Sequence, residues 1–147
     1  MMGKLNNKQG FTLIEIMVVI VILALLAALV GPKLMGRTDD AKIGTTKTQI
    51  KQLETAIKLY KLDNGAYPGT EQGLNALVAK PTVGVIPKNY KEGGYLESKQ
   101  VPKDGWGNGF IYVSPGEQGD YELSSYGADG VKGGDGKNSD ITSWDLK

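Results

Sequence analysis

Residues Phe11 to Val30 read FTLIEIMVVIVILALLAALV, twenty positions with a single charge, Glu15. At ~1.5 Å per residue, a helix of that length spans about 30 Å, the thickness of a bilayer's hydrocarbon core. A run that is apolar on every side has no place on the surface of a small domain, and the rest of a 147-residue chain is too small to enclose it. The segment therefore reads as membrane-spanning. It is not a secretory signal peptide, because the run is full length and Gly31-Pro32-Lys33-Leu34 follows it without an A-x-A pattern. A processing signal stands on the other side instead: MMGKLNNKQG is short and polar, carries Lys4 and Lys8, and ends in Gly10 directly before Phe11.

Glu15 needs a reason. A carboxylate inside hydrocarbon costs about 2.5–3.5 kcal/mol on insertion scales. No cation lies in the apolar run, and Lys33 and Arg37 stand at its far end. A cut between Gly10 and Phe11 creates an ammonium at Phe11, four residues from Glu15 and roughly 6 Å away along the axis. It can pair within one helix or between staggered neighbours, so that lateral assembly neutralises both charges.

Composition excludes several function classes. There is no Cys, hence no disulfide, Cys-based zinc site or thiol nucleophile, and no His as a proton shuttle near neutral pH. The 17 Lys+Arg balance 16 Asp+Glu, which is no nucleic-acid footprint. No nucleophile elbow, P-loop or paired-carboxylate frame occurs, so the chain reads as no enzyme. Sixteen of the 21 glycines lie beyond Asn64, so the two halves are built differently.

Gly31-Pro32 is expected to interrupt the helix. From Asp39 the helical period resumes: Ile43, Ile50, Leu53, Ile57 and Tyr60 form one apolar stripe, expected to pack on the domain's own sheet. Asp39 and Asp40 suit a helix start, and Asn64-Gly65 suits a C-cap. Residues 71–78 are a short helix candidate, and Pro81, Pro87, Pro102 and Gly93-Gly94 mark an irregular connection. The runs 110–113 and 121–124 are rich in strand formers and predict an antiparallel hairpin across a broad turn. Trp106 and Trp144 are expected as core anchors, Tyr90 and Tyr95 as surface residues.

The best chemical site is GADGVKGGDGKNSD, residues 127–140, with five Gly and three Asp. Gly permits tight turns that aim carbonyls inward, and Asp offers the hard oxygen that suits calcium. The EF-hand spacing is absent. On composition alone, a solvated loop and a calcium loop both stand.

The string Lys8-Gln9-Gly10-Phe11-Thr12-Leu13-Ile14-Glu15 resembles the type IV pilin signal, whose pattern is Gly, a cut, then Phe-Thr-Leu-x-Glu. The whole chain is similar to the major pseudopilin family of type II secretion systems. That similarity is carried by Gly31-Pro32, Tyr60-Lys61-Leu62-Asp63-Asn64, Thr70-Glu71-Gln72-Gly73-Leu74, Trp106-Gly107-Asn108, Gly127-Ala128-Asp129-Gly130 and Asp140-Ile141.

The resemblance implies an α+β, type IV pilin-like fold, with a long N-terminal helix packed on a small antiparallel sheet and a Gly/Asp-rich C-terminal loop. It implies a leader at residues 1–10, a membrane and filament-core helix at 11–32, and a periplasmic head at 33–147. Within the head it places a helix to about 64, a variable loop region at 65–105, and the sheet with its calcium loop at 106–147. A membrane peptidase would cut between Gly10 and Phe11 and methylate Phe11, and Phe11, Glu15 and Pro32 would serve assembly, Pro32 by local melting of the helix.

The family's structural calcium maps onto the backbone carbonyls of Tyr126 and Val131 and onto Asp129 and Asp140. Ser139 stands where a second acidic residue is common, and Asp135 is a substitute charge. Gly105 replaces the family's usual Pro before Trp106 and is expected to alter only a turn. The implied partners are copies of the same chain in a helical filament, minor pseudopilins, the inner-membrane platform, the prepilin peptidase and, before assembly, membrane lipid, with no nucleic acid. The implied work is export of folded proteins across the outer membrane. Two rivals are an adhesive or DNA-uptake pilin, against which the absence of Cys argues, and a monomeric membrane-anchored calcium-dependent binding module.

Overall fold

The computed structural model describes residues 10–146, with side chains for all but 32–35. Residues 1–9 of the expected leader lie outside the described residues, as does the Pro32 side chain. One long helix, α1 (Leu13–Asn64), is followed by the strands β1 (Ile111–Val113), β2 (Glu122–Ser125) and β3 (Ile141–Thr142), with short 3-10 turns at Leu74–Leu77, Gly136–Asn138 and Ser143–Leu146. The chain divides into two units at Thr38–Asp39.

In the first unit, α1 carries the apolar run with its side chains exposed, Leu13 at 81% and Leu29 at 72%. The expected interruption at Gly31-Pro32 is not seen: the helix runs through both residues without a break. Proline removes one backbone donor and crowds one preceding turn, but the hydrogen-bond ladder on either side persists and elongation is cooperative. Asp39 and Asp40 are accordingly not a helix start but interior positions of α1.

In the second unit, α1 supplies the stripe read from its period. Ile50, Leu53 and Ile57 are fully buried, and Ala56 and Tyr60 nearly so, in one core with Leu77, Tyr95, Tyr112, Leu123 and Ile141. The sheet runs β1-β2-β3, antiparallel throughout. Ile111 pairs with Ser124 and Val113 with Glu122, which closes the expected hairpin. In β1 the pleat turns Tyr112 inward and leaves Ile111 and Val113 each 37% exposed. Gly65, at φ 80°, ends α1 and returns its N–H to the Lys61 carbonyl at 2.7 Å.

Several expectations are corrected here. The candidate helix at 71–78 is only the 3-10 turn Leu74–Leu77, preceded by Gly73 at φ 59°. Tyr95 is buried and Tyr90 packs against the core. With Tyr60 they form an edge-to-face trio, with centroids 5.3 Å (Tyr60–Tyr95), 5.4 Å (Tyr90–Tyr95) and 6.4 Å (Tyr60–Tyr90) apart. Their burial arises because the irregular segment folds back over the end of α1, where Asn64 Nδ2 donates to Tyr95 Oη at 2.9 Å. Trp106 packs against the core as expected, whereas Trp144 is only half-buried and stands outside it. It lies at the chain's end, within the last 3-10 turn, beyond the strands that carry the core.

Gly105 is no mere turn residue. A Cβ placed there would come within 2.5 Å of the Lys42 carbonyl oxygen on α1, so the loop meets the helix backbone directly.

Candidate functional site

The first site is the start of α1. The Gly10–Phe11 bond lies outside the helix, and both residues are exposed, Phe11 at 84%. Thr12 and Glu15 form a capping box: Thr12 N–H donates to Glu15 Oε2 at 2.8 Å, Thr12 Oγ1 donates to the same oxygen at 2.9 Å, and Glu15 N–H donates back to Thr12 Oγ1 at 3.3 Å. Sequence reasoning missed this local partner and looked only to the Phe11 terminus, although the T-x-x-E spacing before an apolar run is its signature. The carboxylate is thus oriented toward the Phe11 end of the helix, and it meets the positive end of the helix dipole.

The second site is the loop after β2. Gly127 (φ 67°) and Gly134 (φ 89°) both press on one stretch of backbone: a Cβ at Gly127 would stand 2.8 Å from Asn138 C, and one at Gly134 2.6 Å from Asn138 O. Ala128 N–H donates to the Lys137 carbonyl at 2.9 Å. The segment carrying Tyr126 and Asp129 therefore lies beside the one carrying Ser139 and Asp140. Asp129 Oδ1 accepts from Val131 N–H and Asp140 Oδ1 from Gly133 N–H, each at 3.0 Å. Lys137 reaches Asp39 of α1 at 3.6 Å.

The donors fit a hard cation, since every candidate is oxygen and the two loop ends are already drawn together. Asp135 is exposed and stands directly before the Gly136–Asn138 turn, where its side chain makes no capping hydrogen bond. Asp129, Asp135 and Asp140 do not converge: among the described residues, no three acidic, His or Cys side chains gather as a metal-binding group.

The loop's footing was not foreseen. Asp104 is 5% exposed; its Oδ1 accepts from Trp106 N–H at 3.0 Å and Asn108 N–H at 2.8 Å, and its Oδ2 accepts from Ser125 Oγ at 2.6 Å. An acid four residues before an Asn, astride Trp-Gly, was the available signal for such a closed turn.

Residues 33–144 match the profile of the family described as type II secretion system (T2SS), protein G, and residues 5–31 match the prokaryotic N-terminal methylation motif. The chain belongs to the protein G family of type II secretion systems. Among protein G relatives, the type II secretion system core protein G of Pseudomonas aeruginosa is 54% identical over 140 residues, covering 95% of this chain and 97% of that one. That of Vibrio cholerae is 49% identical, covering 99% and 98%. The crystal structure of the major pseudopilin from the type 2 secretion system of enterohaemorrhagic Escherichia coli is similar at a TM-score of 0.65 and 40% identity, over 78% of this chain and 96% of that one. As a protein G, the chain is a structural pseudopilin subunit and not an enzyme. It assembles with other pseudopilins and the secretion machinery, and its prepilin-like apolar helix anchors it to a membrane.

Proposed function

We propose that the chain is made as a prepilin, cut between Gly10 and Phe11 and methylated on the new Phe11 nitrogen. It waits in the inner membrane with its apolar helix in lipid and its folded unit in the periplasm. On assembly, the helices leave the lipid and pack together as the core of a helical pseudopilus that drives folded proteins across the outer membrane. Its partners are copies of itself, minor pseudopilins, the inner-membrane platform and the prepilin peptidase.

One observation carries this reading: an exposed peptide bond stands directly before a helix start that Thr12 and Glu15 already cap. Lipid is as apolar as the helices, so burial alone gives them no reason to associate. Each cut subunit brings one ammonium and one carboxylate to the apolar zone, and pairing between staggered subunits supplies the specificity. Pro32 weakens one turn of α1 and gives the helix a place to yield during packing.

The same reading gives residues 126–140 a structural calcium, held by the Tyr126 and Val131 carbonyls, the Asp129 and Asp140 carboxylates and a Ser139 oxygen. Asp135, exposed as Asp129 is, is the alternative charge where Ser139 offers only a neutral oxygen. Bound calcium supplies the positive charge that ties the loop ends together, and its affinity for the folded form adds to folding free energy.

Mass spectrometry of the chain recovered from cells that express a prepilin peptidase tests the proposal. A mature start at Phe11 with one added methyl is expected; an uncut chain with Met1 in place overturns it.

A further inference from the structure

We propose that Asp104 and Asn108 are positioning residues for the cation loop, acting by fixing the two peptide planes on either side of Gly127. This rests on the calcium reading above.

A peptide unit is planar and trans, so fixing its N–H also fixes the direction of the carbonyl on its other edge. The Tyr126–Gly127 peptide carries the Tyr126 carbonyl, one of the proposed ligands. Its N–H donates to Ser125 Oγ at 3.2 Å. That hydroxyl can accept there because its own proton is directed to Asp104 Oδ2 at 2.6 Å. Asp104 thus sets the hydroxyl, the hydroxyl holds the Gly127 N–H, and the Tyr126 carbonyl is turned the opposite way.

The next peptide is held at both edges. Gly127 O accepts from Asn108 Nδ2 at 3.0 Å, and Ala128 N–H donates to Lys137 O at 2.9 Å. Asn108 is itself placed by Asp104, whose Oδ1 takes its backbone N–H and whose own N–H donates to the Asn108 carbonyl at 2.9 Å. One buried carboxylate therefore controls both holds on Gly127. Gly127 has φ 67° and no room for a Cβ, so the turn cannot be kept by a side chain of its own. Partners that orient a metal's direct ligands typically weaken binding by about 10- to 100-fold when removed.

The test is a calorimetric titration of calcium into the full chain in detergent micelles, beside thermal melts without metal. Asn108→Ala and Asp104→Asn are compared with wild type and with Gly109→Ala, where a Cβ meets nothing within 4 Å. The expected result is a calcium Kd weakened about tenfold or more in Asn108→Ala and Asp104→Asn, with a cooperative metal-free melt retained, and no change in Gly109→Ala. Should Asp104→Asn fail to fold, Asn108→Ala carries the test. A wild-type Kd in Asn108→Ala, with only a lowered metal-free melting temperature, overturns the positioning role. A wild-type chain that takes up no calcium overturns the calcium reading and this one with it.

Discussion

Gly105 donates its backbone N–H to the hydroxyl of the fully buried Thr46 at 2.9 Å, while that hydroxyl donates to the Lys42 carbonyl at 2.8 Å. A loop glycine is thereby bound to a helix fifty-nine residues away in sequence. Gly105→Ala forces a Cβ to 2.5 Å from the Lys42 oxygen, and overpacking of this kind costs about 1–3 kcal/mol. Gly105→Pro also removes the N–H that Thr46 accepts. Denaturant melts should show both variants destabilised and Gly109→Ala unchanged; a wild-type midpoint for Gly105→Ala means the loop is not seated on α1.

The capping box separates two roles for Glu15. Glu15→Gln keeps an oxygen for the Thr12 donors but no charge, whereas Glu15→Ala loses both. If charge pairing draws subunits together, both variants should yield at least about tenfold less sedimentable filament, the factor that ~1.4 kcal/mol represents. Normal filaments from Glu15→Gln would leave the cap as the whole function of the residue.

Chelation should soften the folded unit. With free calcium a hundredfold above its Kd, the bound form gains about 2.7 kcal/mol, which corresponds to roughly 10 °C in melting temperature for a domain of this size. Scanning calorimetry with and without a chelator measures it, and coincident melts count against a structural calcium.

Alkali should unfold the same unit through its buried phenols. Burial pushes the Tyr112 hydroxyl from 10.0 up to about 12, and Tyr112 Oη donates to the Pro68 carbonyl at 2.8 Å. Tyr121 is raised too, first by burial and then by the Glu54 carboxylate to which it donates. The unfolded chain releases these protons near pH 10 while the folded chain still holds them. Stability is therefore fully present below pH 10 and falls as pH rises toward about 12. Circular-dichroism melts from pH 9 upward check this. Tyr112→Phe should lose stability less steeply above pH 10, from a plateau lowered by about 1–3 kcal/mol because the Pro68 carbonyl loses its donor.

What the residues alone revealed was local or periodic. The apolar run from Phe11 to Val30 needed only its length and its lack of charge, and the α1 stripe from Ile43 to Tyr60 needed only a period of 3.6. The β1–β2 hairpin followed from two strand-forming runs and the glycine-rich turn between them. The Thr12–Glu15 box is equally local, since its T-x-x-E spacing stands in the sequence at the head of the apolar run.

Only the tertiary structure decided the footing of the cation loop and the burial of the tyrosines. Asp104 finds Ser125, Gly105 finds Thr46 and Asn64 finds Tyr95 across separations of 21, 59 and 31 residues. Each pair exists because an irregular segment is laid across a particular turn of α1 or the end of a strand. Such segments have no repeating hydrophobic period, so neighbouring residues do not encode their paths. What places them is the gain from pairing buried polar groups once the core has closed, as Asp104, Thr46 and the Asn64 Nδ2 group are paired.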